Sequence, residues 1–211
     1  MKRANPIHIK VCGMKDPENI RELITLNPDY IGFILYPGSK RYLGDHYQLN
    51  MDIPANIKRV GVFVNELIDR VLFWINRLGL NYVQLHGDEA PEYCRELYSM
   101  KISVIKAFGI GQDFDFSILK AYEPYCGHFL FDTKTLQRGG SGESFDWDLL
   151  KAYNYSTPLI LSGGIGPEDA TAIRDISGLP LHAVDVNSRF ELSPGIKNME
   201  LLEKFFNELR N

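Results

Sequence analysis

Cysteine is scarce in this 211-residue chain: Cys12, Cys94 and Cys126 are an odd number at wide spacing, with no Cys or Cys/His pairing pattern. That excludes a disulfide framework and a zinc motif, and it predicts a reduced, cytoplasmic protein that holds no metal. Long apolar runs are missing as well. None approaches the roughly 20 residues of a membrane span, and Lys2 and Arg3 lead into an alternating strand without a small-residue cleavage site, so no targeting segment is expected. Excess positive charge is also lacking. A net charge of −4 argues against a broad nucleic-acid or acidic-membrane surface, so an anionic ligand must be held by a few local cations and N–H groups. Linkers, low-complexity tracts and strong short repeats are absent, and no Gly-x-Gly-x-x-Gly follows the first strand.

A hydrophobic content of 45% over 211 residues is enough for one sizeable core, and a single domain over residues 1–211 is the expectation. Ile7, Ile9 and Val11 alternate with His8 and Lys10, the period of a half-buried strand. Asp16 then caps a helix that has Pro17 at its first position and runs to about Leu26. Further apolar runs cover residues 30–35, 59–64, 82–86, 102–108, 129–132, 158–161 and 182–186. Helical segments are expected at 66–78, where Leu67, Val71, Trp74, Ile75 and Leu78 share a face, and from about 88, with Tyr93, Cys94 and Leu97 inward. Others are expected at 114–122, from 145, at 167–175 and at 199–209, with a weak helical region at 46–51. Eight strand–helix pairs with short loops predict an α/β fold, a parallel eight-stranded (β/α)8 barrel of the TIM type; an open doubly wound sheet is the alternative.

In such a barrel the strand C-terminal ends form the active face. The residues expected there are Cys12, Arg41, His86, Lys106, Asp132 and Asp185. Phosphate is expected against the loops after strands seven and eight, Gly163-Gly164 and Asn187-Ser188-Arg189, with Gly140, Ser141 and Gly142 closing one side. Cys12 and Asp132 end strands one and six, read as lying on opposite sides of the barrel, a geometry suited to a general base and a general acid. Lys15 or a helix N-terminus would favour the thiolate. Each residue has a plainer reading. Cys12 would be a buried small hydrophobe, Asp132 a cap or ion-pair partner and Arg41 a solvated charge. His86 would be a hydrogen-bonded strand end, Lys106 a carboxylate's partner, and Asp185 an orienter of backbone groups. Cys94, Cys126, Trp74 and Trp147 read as packing.

Lys10-Val11-Cys12-Gly13, Gly32-Phe33-Ile34, Ser39-Lys40-Arg41 and Val83-Gln84-Leu85-His86-Gly87 stand in order along the chain. They are followed by Leu130-Phe131-Asp132, Gly139-Gly140-Ser141-Gly142, Leu161-Ser162-Gly163-Gly164, Val184-Asp185-Val186 and Pro194-Gly195-Ile196-Lys197. This series resembles the strand motifs of the phosphoribosylanthranilate isomerases of tryptophan biosynthesis over nearly the whole chain. The resemblance implies a cofactor-independent aldose–ketose isomerase. Its reaction would be the Amadori rearrangement of N-(5-phosphoribosyl)anthranilate to 1-(2-carboxyphenylamino)-1-deoxyribulose 5-phosphate. Asp132 matches the general acid, Cys12 the base at ribose C2 and Arg41 the basic residue near anthranilate. Gly140–Gly142, Gly163–Gly164 and Ser188 match the phosphate grip. The partner is then a small phosphosugar; homodimer and monomer are both open.

Two positions depart from the family pattern. Asn187-Ser188-Arg189 stands where Ser-Ser-Gly is common, and Lys40 replaces a usual proline before the arginine. The rival readings are another phosphosugar isomerase or epimerase barrel, which would want paired aspartates with metal or an aspartate in place of Cys12, and a non-catalytic phosphometabolite-binding barrel.

Overall fold

The computed structural model describes residues 6–133 and 146–211. Eight parallel strands close on themselves in chain order: β1 (His8–Val11), β2 (Tyr30–Ile34), β3 (Lys58–Phe63), β4 (Tyr82–Leu85), β5 (Val104–Ile110), β6 (His128–Thr133), β7 (Leu159–Leu161) and β8 (Leu181–Val186). The expected (β/α)8 barrel is therefore the architecture. Closure is made by β8 against β1, where His8 lies opposite Ala183 and Lys10 opposite Asp185. Among the described residues no helix is long and apolar enough to cross a membrane.

Helices α1 (Pro17–Thr25), α2 (Ile68–Leu78), α3 (Pro91–Ser99), α4 (Ala170–Asp175) and α5 (Met199–Arg210) pack outside the strands. Asp16 caps α1 as its sequence predicts, with its carboxylate accepting from the Asn19 N–H at 2.9 Å. Gly79 ends α2 in the left-handed region at φ 58°, where a side chain would be strained.

Other connections differ from expectation. Leu67 precedes α2 as its cap and is 76% exposed, so it does not share the buried face of Val71, Trp74 and Leu78. Residues 46–51 are not helical: Tyr47, Leu49, Met51 and Ile53 alternate as half-buried contacts with exposed neighbours, the period of an extended chain laid along the core. The segments expected as helices at 114–122 and after 145 are short 3₁₀ turns, Phe116–Ala121 and Trp147–Ala152, opened by Asp115 and Asp146.

Strand β1 is not half-buried, because a barrel strand has no solvent face: one set of side chains meets the helices and the other fills the interior. The interior is layered. At its middle Val60, Ile105, Ala107, Leu130, Ile160 and Ala183 form an aliphatic plug, bordered by Tyr30. Below it, at the strand N-termini, three imidazoles stack, with His182 ring centroids 4.6 Å from His8 and 4.5 Å from His128. Tyr30 Oη lies 2.7 Å from His182 Nε2, Asp29 lies 2.7 Å from His8 Nδ1, and Tyr82 meets His128 edge-on.

Burial, reinforced by His182 and His8, pushes the His128 imidazolium down to about 4, and burial also lowers His182. The sign follows from linkage. Below the ordinary value near 6.5 the unfolded chain binds a proton that the folded ring refuses until about 4, so stability is lost as pH falls through that window and is flat above it. His128 should cost about 1–2 kcal/mol of stability between pH 7 and pH 5. Urea midpoints at the two pH values should show that loss in the parent and a smaller one in His128→Phe.

Candidate active site

At the C-terminal ends of the strands a mouth of about 790 Å³, part of it open solvent, is lined by residues of β2, β3, β4, β6 and β8 and of the loops after β1, β2, β3, β4, β7 and β8. Cys12, Arg41, His86, Asp132, Asp185, Gly163, Gly164 and Ser188 all border it. Ile34, Val62 and Val64 supply an apolar wall beside Tyr36. Gly140, Ser141 and Gly142 lie outside the described residues.

Cys12 directly follows β1, and its N–H bonds the Val186 carbonyl at 2.9 Å, which ties it to the closing seam. A Cβ at Gly32 would stand 2.8 Å from Cys12 Sγ and 3.2 Å from Lys10 Nζ, so sulfur and ammonium share the space left by the missing side chain. The cation beside the thiol is thus Lys10, not Lys15, whose side chain packs on Gly195. Burial pushes the Cys12 thiol up, Lys10 opposes this, and Asp185 adds to the rise while Lys197 draws it down. Lys10 is fully buried and bonds Asp185 at 2.8 Å. Burial works against its charge, but Asp185 and Cys12 together hold its proton more tightly than usual.

Asp132 sits in β6, three strands from β1 by way of β8 and β7; the strand diametrically across from β1 is β5. Acid and thiol are therefore one strand short of diametric, nearer to opposed than to adjacent across the rim. Asp132 Oδ1 accepts from the Thr133 N–H at 2.8 Å, and Oδ2 lies 3.2 Å from His86 Nε2. The Gln84 amide meets His86 Nδ1 at 2.9 Å. His86 bridges the Gln84 amide and Asp132, with Nε2 pointing at the acid. His86 is thus a hydrogen-bonded strand-end residue, as its plainer reading had it. Gly163 and Gly164 turn through φ +86° and +65°, and a Cβ on Gly163 would come within 2.9 Å of Asp132 Oδ1. Only glycine lets this turn close over the acid.

Arg41 is almost buried and is not a solvated charge: its Nε and Nη2 grip Glu191 at 2.8 and 2.6 Å. Lys106 does not line the mouth; it pairs with buried Glu89 at 3.1 Å and bonds three backbone carbonyls. Asp185 presents one oxygen to Lys10 and the other to Ser162 Oγ at 3.5 Å. Arg189 turns to Glu168 and the Gly164 carbonyl and does not border the mouth. Lys10, Gln84, Glu191 and Lys197 carry much of this geometry and were not singled out as site residues from the sequence. The available signal was polar residues at interior positions of strands and in the last hairpin.

Comparison with known proteins points to one family. The family described as N-(5'phosphoribosyl)anthranilate (PRA) isomerase matches residues 9–208. The N-(5'-phosphoribosyl)anthranilate isomerase of Parabacteroides distasonis is 43% identical over 204 residues, covering 95% of this chain and 92% of that protein. The crystal structure of phosphoribosyl anthranilate isomerase from Thermotoga maritima superposes with a TM-score of 0.83 at 36% identity, over 96% of this chain and 98% of that one. The crystal structure of a phosphoribosyl anthranilate isomerase in complex with reduced 1-(o-carboxyphenylamino)-1-deoxyribulose 5-phosphate gives a TM-score of 0.80 at 33% identity, with coverage of 96% and 98%. The chain belongs to the N-(5'-phosphoribosyl)anthranilate isomerase family.

Proposed function

We propose that the family's isomerisation of N-(5'-phosphoribosyl)anthranilate runs in this mouth with Cys12 as general base and Asp132 as general acid. The observation that carries the assignment is that both groups border one pocket together with the Gly163–Gly164 turn. Asp132 gives a proton to the furanose ring oxygen as the C1–O bond breaks. The anthranilate nitrogen supplies the electron pair and becomes a protonated Schiff base. The Cys12 thiolate then takes the C2 proton, and the C–H electrons form the C1=C2 bond and neutralise the nitrogen. The resulting enolamine tautomerises to the C2 ketone. Both transfers are acid–base steps between positioned groups.

Lys10 supports the base, since a protonated ammonium in the same buried space favours the thiolate against the desolvation that opposes it. Phosphate is assigned to the N–H groups of Gly163 and Gly164 and to Ser188, in a turn whose side chains do not obstruct close approach. Arg41 is assigned to the anthranilate carboxylate, with the apolar wall of Ile34, Val62 and Val64 available to the aryl ring. The ligand chemistry is that of the complexed relative, an aryl carboxylate at one end and a phosphate at the other. We further read the chain as one domain and, from its three free thiols, as cytoplasmic.

Cys12→Ala and Asp132→Asn should each lower kcat by about 10²–10⁴. Titration with the reduced product should find its affinity within about threefold of the parent, an estimate that treats both groups as acting in the transition state. Unchanged turnover in either variant, followed by anthranilate fluorescence, would falsify that residue's role. Arg189 is turned away from the mouth, so Arg189→Gly should change KM by less than about twofold, as expected of a solvent-exposed pair with little net energy. A large rise in KM would instead give Arg189 an ionic part in binding.

A further inference from the structure

The last hairpin, β9 (Glu191–Ser193) with β10 (Ile196–Lys197), holds a group of buried charges at the edge of the mouth. Its centre is Glu191, whose side chain is 5% exposed. Oε1 accepts from Arg41 Nε at 2.8 Å, Lys197 Nζ at 2.8 Å and the Gly195 N–H at 3.1 Å, and Oε2 accepts from Arg41 Nη2 at 2.6 Å. The carboxylate is saturated on both oxygens.

Each partner is fixed in turn. Lys197, 1% exposed, also bonds Asn187 Oδ1 at 2.6 Å, and its backbone exchanges hydrogen bonds with the Asn19 side chain of α1 at 2.7 and 3.0 Å. The stem of Arg41 lies over Gly13, where a Cβ would come within 2.6 Å of Arg41 Cδ. The guanidinium is therefore held by its stem on one strand end and by one edge of its fork on another. Among the described residues Nη1 has no protein partner, and the residue borders the mouth, so the free edge is the one left for a ligand. Two cations and one anion leave the group with one excess positive charge beside that edge.

A purely structural clip would not need this arrangement. Burying a guanidinium is costly unless its donors are paired, and a clip would pair them all. Here one edge is paired with a saturated carboxylate while the other borders the pocket. A planar fork with one edge fixed presents its second edge in one plane and at one height, which is what bidentate recognition of a carboxylate requires.

We propose that Glu191 is a positioning residue that sets the preference for an ortho-carboxylated arylamine, by locking Arg41 so that its free edge meets the ligand carboxylate. This rests on the assignment of Arg41 to that carboxylate. Lys197 and the Gly195 N–H serve the same end by holding Glu191.

The test is calorimetric titration with two ligands, the reduced product 1-(2-carboxyphenylamino)-1-deoxyribitol 5-phosphate and its phenylamino counterpart without the carboxylate. Glu191→Gln should weaken the carboxylated ligand about tenfold or more, the scale of one charged hydrogen bond lost, and leave the other within about twofold. Equal weakening of both ligands, or of neither, overturns the proposal. Glu191→Asp keeps the charge and withdraws it by one methylene; it should show the same selective loss, and it provides the test if Glu191→Gln does not fold. Arg41→Lys in the same titrations separates the two assignments. If it loses the carboxylated ligand selectively while both Glu191 variants do not, Arg41 keeps its role and Glu191 loses the one proposed. If Arg41→Lys is not selective either, the Arg41 assignment fails and this proposal fails with it.

Discussion

Closure of β8 on β1 is the constraint on which the rest of the site depends. The register that sets Lys10 opposite Asp185 joins the first and last strands of the barrel by hydrogen bonds and places a buried ion pair at their junction. The same seam holds Cys12, through the Val186 carbonyl, next to the ammonium that tempers its desolvation. A slip of either strand by one residue would turn its side chains to the other face, separating Lys10 from Asp185 and disturbing the setting of Cys12. The ion pair is weak evidence for stability, since burying two charges offsets much of what their attraction contributes. Its clearer effect is to specify the register.

The eight strands were legible in the sequence for a simple reason. Each is a short run of residues that the structure buries, and each is punctuated by glycine, a cap or a polar residue. The strand-end residues that line the mouth could be chosen by position for the same reason: Cys12, His86 and Asp132 stand where their runs end. Arg41 could be chosen by its place after the second strand as well as by the family motif, but its burial could not, because its loop has no periodicity.

The rest was hidden for identifiable causes. Lys10 looked like the solvent side of a half-buried strand, a reading that fails once the sheet closes and the other side becomes the interior. Glu191 lies 150 residues from Arg41, and no local spacing encodes that pairing. Residues 46–51 have alternating apolar positions that support an extended path, and reading them as helical ignored that period. Leu67 fits a helical face by spacing, but the helix begins one residue after it.

The aliphatic plug at mid-barrel has a consequence for how such a protein can change over time. It stands between the imidazole floor and the polar mouth, and the side-chain pairs at the two ends, Tyr30 with His182 and Lys10 with Asp185, lie on either side of it. Substitutions among His8, His128 and His182 can therefore retune tolerance of acid or heat without moving a charge that the chemistry feels. Loops at the rim can exchange specificities over an undisturbed base. A lineage adapting to a new habitat and one adapting to a new substrate would draw on separate sets of positions in the same fold.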